Sequence, residues 1–244
     1  MSGPKRARKP KRAKSSNCLH FDGTNDTVVI SDYDVSASGT GDFSISVWFK
    51  TDNTSHQKST PFMTKEESRF LIWQFWINSL GKVQFTARDS SGFILNYLSD
   101  SIVGTSDAGE WNHVVYVCDR DAGQTVYING SALTEQTDAI SDTTTSVNNT
   151  GDVTLGITGS TYLDGKIAEY AAFSKALSAS EVSFLYRKKG KYNLSRSKFG
   201  SDLTCWLRMG DGTEAASGST VYDMSTNSNN GTISGAAYAT DSPS

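Results

Sequence analysis

The sequence predicts an all-β protein, an antiparallel two-sheet sandwich with one short helix. Apolar and polar residues alternate with a period of two in many short segments, which is typical of half-buried strands. These segments recur about every 8–15 residues, too closely for βαβ units. Polar turns separate them, and only 4 of the 244 residues are Pro. Asn129-Gly130 is the strongest hairpin signal, because both residues tolerate positive φ.

Two segments show different kinds of strand. From Phe43 to Lys50, inward Phe, Ile and Val residues alternate with Ser44, Ser46 and Trp48, which predicts a half-buried strand. Residues 69–77 are apolar almost throughout, which predicts a strand covered on both faces. Further strands are predicted at residues 82–88, 92–98, 111–118, 124–129, 153–156, 166–173, 199–210, 220–222 and 231–238.

A helix is predicted to begin at Ser178, where Ser followed three residues later by Glu181 forms a capping-box pattern. Val182, Leu185 and Tyr186 then share one helical face. The helix should end near residues 188–190, because lysines suit the negative end of the helix dipole and glycine suits a left-handed cap.

Cysteine content and hydropathy exclude several protein classes. Cys18, Cys118 and Cys205 are odd in number and show no C-x-x-C spacing, so we expect buried free thiols rather than disulfides or a zinc site. No apolar run reaches the ~18 residues of a membrane span, and the N-terminus lacks the apolar stretch of a secretory signal. We therefore expect a soluble protein with no membrane partner.

The charge is unevenly distributed along the chain. Seven cations and no acid fall within the first fourteen residues: Lys5, Arg6, Arg8, Lys9, Lys11, Arg12 and Lys14. The rest of the chain holds 16 basic and 26 acidic residues, a net charge of −10. Such an arm cannot bury enough apolar surface to fold alone. It suits an anchor to an assembly or to nucleic acid, a nuclear-import signal, or a solvated tail.

The motifs of common enzyme classes are missing. The seven glutamates are scattered, and none forms the Glu-x-Asp-x-x-Glu pattern of a glycan hydrolase, which needs two carboxylates across the scissile bond. The three histidines have no neighbouring nucleophile, and we expect His113 to pack or cap. No glycine-rich phosphate loop occurs. The sequence therefore predicts a protein that is not an enzyme and needs no cofactor.

Five segments together resemble the laminin G-like domains of the concanavalin A-like jelly-roll superfamily. They appear in the order found in that family: residues 19–26 (LHFDGTND), 43–50 (FSISVWFK), 111–114 (WNHV) followed by 126–130 (VYING), 163–169 (LDGKIAE) and 176–182 (ALSASEV). The resemblance covers residues 17–193 and implies the sandwich fold. We expect a basic arm at 1–16, a laminin G-like sandwich at 17–193, and a segment at 194–244 that completes it.

The resemblance also implies candidate ligands. Many members of the family bind calcium at the rim of the sandwich, and Asp22, Asp26 and Asp164 could contribute here; turn acids that accept backbone amides are the alternative. Sugar binding would use an aromatic platform in a rim loop, for which Trp73, Trp76 and Tyr162 are candidates. Trp73 and Trp76 have opposite parity on one strand, so at most one can face the centre of the core.

Residues 206–211 and 223–232 resemble segments of bacteriophage structural proteins that carry this domain. The resulting hypothesis is a viral, bacteriophage-type structural protein: a capsid decoration or virion-surface component in a multimeric assembly, located in the virion and bound to other capsid proteins through its arm. The alternatives are a module that binds carbohydrate or a host surface, and a nucleic-acid-binding protein that acts through the arm.

Overall fold

The computed structural model describes residues 17–36, 39–52, 59–68, 71–102, 109–140, 144–213 and 215–243. The basic arm lies outside these ranges. In chain order the elements are β1 (Cys18–Asp22), β2 (Thr27–Ile30), β3 (Phe43–Thr51), β4 (Thr60–Ser68), β5 (Leu71–Ile77), β6 (Lys82–Asp89), β7 (Gly92–Ile102), β8 (Asn112–Asp119), β9 (Gly123–Ile128), β10 (Ser131–Ala132), β11 (Glu135–Ile140), β12 (Asp152–Leu155), β13 (Ile157–Thr158), β14 (Thr161–Tyr162), β15 (Asp164–Phe173), α1 (Ala179–Lys188), β16 (Leu203–Leu207), β17 (Thr220–Val221), β18 (Gly231–Ser234) and β19 (Ala237–Ala239).

Two antiparallel sheets form the sandwich, as the sequence predicts. Sheet A has the strand order β10-β9-β8-β3-β15-β1-β19, and β16 also pairs with β15. Sheet B has the order β11-β7-β6-β5-β4-β12-β2-β18-β17. A small hairpin of β13 and β14 lies beside them. β1 and β3 belong to sheet A and β2 and β4 to sheet B, so the chain crosses repeatedly between two layers and encloses one core.

The main core lies between the sheets and is rich in aromatic rings. Phe85 of sheet B stacks on Tyr116 of sheet A, with ring centroids 3.9 Å apart and planes 12° apart. Phe43 packs against Trp73, whose indole nitrogen donates to the carbonyl of Val147 at 2.7 Å. Aromatic pairs of this kind stabilise a core beyond their buried area alone.

The outer face of sheet A is also covered, which corrects the expectation of a half-buried β3. Val182 and Leu185 of α1 form a second hydrophobic cluster with Val115, Val117 and Trp206 of the sheet. Ser44, Ser46 and Trp48, expected to face water, are all buried. Hydrogen bonds compensate the burial of the serine hydroxyl groups in this layer: Ser44 Oγ, for example, donates to the carbonyl of Lys175 at 2.8 Å.

Strand β5 differs from its prediction in the opposite sense to β3, because one of its faces is more exposed than expected. Its Trp73, Phe75 and Ile77 point into the core, whereas Gln74 and Trp76 are only half-buried on the outer face of sheet B. The one helix in the described part of the chain lies on sheet A instead. The expectation that β5 is covered on both faces is therefore wrong for this part of the chain.

Strand β4 was not predicted from the sequence, although it lies in the middle of sheet B. It contains Pro61 at a register shift and Lys65, whose side chain is fully buried. Lys65 Nζ donates to the carbonyls of Tyr33 and Gly151 at 2.7 Å each and lies 3.2 Å from Asp34 Oδ1. These partners compensate the burial of the ammonium group, which a pattern of apolar residues cannot indicate.

Helix α1 confirms the capping-box prediction. Ser178 is the N-cap, its side chain accepts from the Glu181 amide, and the Glu181 side chain accepts from the Ser178 amide. The helix ends in two left-handed residues, Lys189 (φ 48°) and Gly190 (φ 67°), so the cap itself is a lysine. Val182 and Leu185 are buried against sheet A.

The C-terminal strands join both sheets. β16 pairs with β15, β18 with β2, and β19 with β1. The carboxylate of Asp223 accepts from the amides of Trp206, Ser225 and Asn229 at 2.8–2.9 Å and from the Ser225 hydroxyl at 2.6 Å. The 223–232 segment thus has a structural role, because it fastens the loop after β17 to sheet A.

The three cysteines are buried and free, as predicted. Cys18 begins β1 and Cys205 lies in β16, and both strands pair with β15 along successive parts of its length. Within the described ranges, α1 is far too short to cross a bilayer and no other helix is present.

Candidate functional site

A cavity of about 240 Å³ opens at one end of the sandwich, and we refer to it as the rim pocket. It lies where β3 ends, β4 begins and β15 begins, beside the β13–β14 hairpin. Its lining consists of Gly23, Thr51, Ser59, Thr60, Ser160, Thr161, Tyr162 and Asp164. Hydroxyl groups, one phenol ring and one carboxylate therefore surround a space open to solvent.

The backbone around the rim pocket is held firmly in place. The hairpin base is fixed by Leu163 N donating to Gly156 O at 2.8 Å and by Gly156 N donating to Phe62 O at 3.1 Å. Gly165 has a φ of +150°, and a Cβ there would lie 2.2 Å from the Lys50 carbonyl oxygen. Only glycine fits this position, so the Asp-Gly sequence at 164–165 places Asp164 against the end of β3.

Two polar groups of the rim pocket are available to a ligand. Within the described part of the chain, the Asp164 carboxylate and the Tyr162 hydroxyl form no hydrogen bond with protein atoms, and both side chains are only partly buried. The backbone carbonyl of Asp164, in contrast, accepts from Asp52 N at 3.0 Å. The main chain is thus fixed while the side-chain acceptor stays open, an arrangement suited to binding hydroxyl groups.

The family model described as the concanavalin A-like lectin/glucanases superfamily (laminin G type) matches residues 22–183. The chain belongs to this superfamily. No curated protein sequence matches it.

Solved structures show the same concanavalin A-like fold at low sequence identity. A candidate carbohydrate-binding protein from Bacteroides ovatus has a TM-score of 0.63 at 15% identity, covering 94% of this chain and 61% of that one. Domains LG4-5 of the mouse laminin alpha1 chain give 0.51 at 15% identity, with 68% and 43% covered. The binding domain of botulinum neurotoxin DC in complex with SialylT gives 0.50 at 16%, with 69% and 42% covered. The chain thus spans less than two thirds of each of these proteins.

The predicted calcium ligands of the concanavalin A-like sandwich are not assembled into a metal site. Asp26 is buried, and its Oδ2 accepts from Asp22 N at 2.9 Å. Asp22 Oδ1 accepts from Thr24 N at 2.9 Å, and Asp164 lies in the rim pocket. Within the described ranges no group of three His, Cys, Asp or Glu side chains could hold a metal ion. Asp22 and Asp26 act as turn acids that satisfy backbone amides.

The three predicted glycan contacts lie in three different places. Trp73 is 2% exposed in the core, so it is a packing residue and offers no platform to a sugar. Trp76 is half-buried on the outer face of sheet B, and Tyr162 lines the rim pocket. The anchor residues Lys5 to Lys14 of the arm lie outside the described residues.

A second group of polar residues lies under α1 and is structural. Glu169 Oε2 accepts from the Trp206 indole at 2.6 Å, and Glu169 Oε1 accepts from Arg208 Nε at 3.1 Å. Burial raises the pKa of Glu169 to about 7, because desolvation outweighs these partners. The adjoining cavity, of about 30 Å³, has room for water but not for a sugar ring.

His113 belongs to this buried layer, which confirms its predicted packing role. Its ring stacks on Trp48 at 4.8 Å and its Nε2 lies 2.8 Å from Ser46 Oγ. Burial lowers the pKa of His113 to about 3, so the ring is neutral. The Ser-His contact lies beneath the helix, away from the open rim, and serves packing rather than catalysis.

Sequence reasoning missed the hydroxyl residues of the rim pocket. Thr51 ends β3, Thr60 begins β4 and Thr161 lies about a hundred residues further along the chain, and none is part of a motif. The signal that existed was the Asp-Gly pair at 164–165, which the family resemblance placed in a shared segment.

Proposed function

We propose that the protein is a non-enzymatic glycan-binding module of the concanavalin A-like type, with the rim pocket as its binding site. The observation that carries the proposal is the open Asp164 carboxylate beside the Tyr162 ring. A carboxylate accepts hydrogen bonds from neighbouring sugar hydroxyls, and an aromatic face packs on the apolar side of a sugar ring. The pocket is smaller than the ~300–1,000 Å³ of sites for drug-sized ligands, which suits one sugar unit.

The same lining supports a binding role over hydrolysis. Glycosidases hold two carboxyl groups about 5–9.5 Å apart across the bond they cleave. Among the described residues that line the rim pocket, Asp164 is the one acid. The resemblance to a candidate carbohydrate-binding protein over 94% of this chain is consistent with binding without cleavage, although at 15% identity it concerns the fold alone.

The virion hypothesis receives less support. None of the similar structures described above has a viral context. The 223–232 segment, whose phage-like sequence suggested that context, has a structural explanation in the hydrogen bonds of Asp223. A capsid partner, the arm as an anchor, nucleic-acid binding and the boundaries at residues 16 and 193 stay predictions.

A glycan array followed by titration calorimetry tests the proposal. The Asp164→Asn variant should bind at least tenfold more weakly than wild type, because hydrogen bonds to a charged group contribute about 1.5–3 kcal/mol each. Asp121→Asn is the matched control: it is exposed in the β8–β9 turn, at the opposite end of the sandwich. An array on which no glycan binds, or equal binding by the two variants, would overturn the proposed site.

A further inference from the structure

The outer face of sheet B carries a set of uncharged hydrogen-bonding residues around one tryptophan. The polar outward positions of four neighbouring strands form this group, which we call the polar face: Thr64 of β4, Gln74 and Trp76 of β5, Gln84 and Thr86 of β6, and Asn96 of β7. Two apolar residues lie in register with it, Pro61 beside Trp76 and Leu98 beside Gln84. The residues of the polar face form two rows, because Trp76 pairs with Gln84, while Gln74 pairs with Thr64 and Thr86, and Thr86 with Asn96. Residues in register across strands have neighbouring side chains.

The polar face has unused donors and acceptors. Trp76, Gln74 and Asn96 are half-buried, and within the described ranges their side chains form no hydrogen bond with protein atoms. The nearby ionic groups lie at the two ends of the polar face. At one end Lys82 Nζ lies 3.8 Å from Asp100 Oδ1, and at the other end are Glu66 and Arg88. The centre of the face is therefore uncharged but able to donate and accept hydrogen bonds.

This chemistry favours a neutral sugar chain over a protein partner. The core of a protein interface is apolar, whereas here the half-buried side-chain amides of Gln74, Gln84 and Asn96 lie near a single aromatic ring, and the two threonines of the face are buried. Amide groups match sugar hydroxyls without the desolvation cost of a charge, and the indole offers a stacking surface. An acidic polymer would find no cation at the centre of the face and would meet the Asp164 carboxylate in the rim pocket.

The rim pocket and the polar face are adjacent. Thr60 lines the pocket and is in register with the core residue Ile77, and the next residue, Pro61, is the register partner of Trp76 on the outer face. The two regions therefore meet where β4 begins, on opposite sides of sheet B. The hairpin that carries Tyr162 also packs against β4 and β5. From β5 to β7 the face extends about 10 Å, two strand spacings, so a ligand that uses both regions must be longer than one sugar unit.

We infer that the glycan bound at the proposed site is a neutral, extended oligosaccharide that runs from the rim pocket onto the polar face, where Trp76 stacks on it. The inference rests on the proposed function of the rim pocket. It adds the class of ligand and a second part of the binding surface.

The test measures affinity against chain length by titration calorimetry on the full chain. The probes are neutral gluco-, xylo- and manno-oligosaccharides of increasing length from one sugar unit, with oligogalacturonate as the acidic probe. Wild type should bind the longer members of a neutral series at least tenfold more tightly than its monosaccharide. Trp76→Ala should remove that gain and leave monosaccharide binding unchanged, whereas Asp164→Asn should weaken every member of the series.

Two further variants control the experiment. Trp76→Phe keeps an aromatic ring and should retain part of the gain with length. Tyr222→Ala removes an exposed aromatic ring five strands away on sheet B and should change nothing.

Affinity independent of length, an unchanged gain in Trp76→Ala, or tighter binding of oligogalacturonate would overturn the inference while the rim-pocket site stands. If no probe and no array glycan binds, the proposed function itself fails.

Discussion

The two outer faces of the sandwich differ in what lies on them. On sheet A, α1 and the C-terminal strands bury Ser46, Trp48 and Glu169 in a second layer. On sheet B, Gln74 and Trp76 are in contact with solvent, and no described helix covers them. Both faces belong to strands with the same two-residue period. Periodicity therefore shows that a strand has two faces, but it does not show which face meets water and which meets another part of the chain.

The largest expected effect is a difference in stability between two tryptophans. Trp206 is 2% exposed on the sheet A side and donates to Glu169, so Trp206→Ala should lower the free energy of unfolding by about 3–5 kcal/mol. Trp76→Ala on sheet B should cost about 1 kcal/mol or less, because its ring is partly exposed already. Urea unfolding of both variants measures the difference.

Equal losses in the two variants would contradict this contrast, because they would show that the outer face of sheet B is covered as thoroughly as that of sheet A. A loss in Trp206→Ala well below that range would show that the layer under α1 contributes little to stability.

A smaller loss is expected from Asp223, which fastens the C-terminal loop to the sheet A side. Asp223→Ala removes the acceptor of four hydrogen bonds and should lower the free energy of unfolding by about 2 kcal/mol. Ser225→Ala removes one of them, the hydroxyl donor, and should cost less. Chemical denaturation measures both variants, and the reverse order would show that the loop is held by other contacts.

The smallest net effect concerns the pH dependence of wild type, because two buried groups on sheet A contribute with opposite signs. The pKa of Glu169 rises from 4.5 to about 7, so its contribution to stability is complete below pH 4.5 and is lost as the pH rises to about 7. The pKa of His113 falls from 6.5 to about 3, so its contribution is present above pH 6.5 and is lost as the pH falls toward 3.

Variants separate these two contributions between pH 4.5 and 6.5. Glu169→Gln keeps His113, so its stability should fall more steeply than that of wild type as the solution is acidified. His113→Asn keeps Glu169, so its stability should fall less, or rise. Thermal unfolding at several pH values measures both slopes, and equal slopes in the two variants would show that neither group is buried as described. Substitutions on the polar face should leave the wild-type slope unchanged.

Much of the fold could be predicted because short-range patterns specify it. The alternation at β3, the Asn129-Gly130 turn and the Ser178–Glu181 capping box all act within a few residues, and each predicted element is present. Strand β4 was missed because Lys65 becomes compatible with burial only through the distant carbonyls of Tyr33 and Gly151. Local propensity carries no information about such partners.

The candidate site was less predictable for the same reason. Tyr162 and Asp164 were identified as candidates, but their neighbours Thr51 and Thr60 come from other strands. Trp73 was a candidate for sugar binding because its ring type is right, and only the pairing of the sheets shows that it points inward. Asp26 was a candidate calcium ligand with a turn acid as the alternative, and its Oδ2 accepts from a backbone amide.

The direction of β1 determines how the protein would present its pocket when tethered. The strand begins at Cys18 and ends at Asp22, next to the rim pocket, so these two points lie about 13 Å apart along one strand. β19 runs antiparallel beside it and ends at Ala239, opposite Cys18. Because β1 pairs only with the first half of β15, Cys18 lies near the middle of the sandwich's length. A linker attached before β1 would therefore hold the sandwich by the flank of sheet A, with the pocket about 13 Å from the point of attachment.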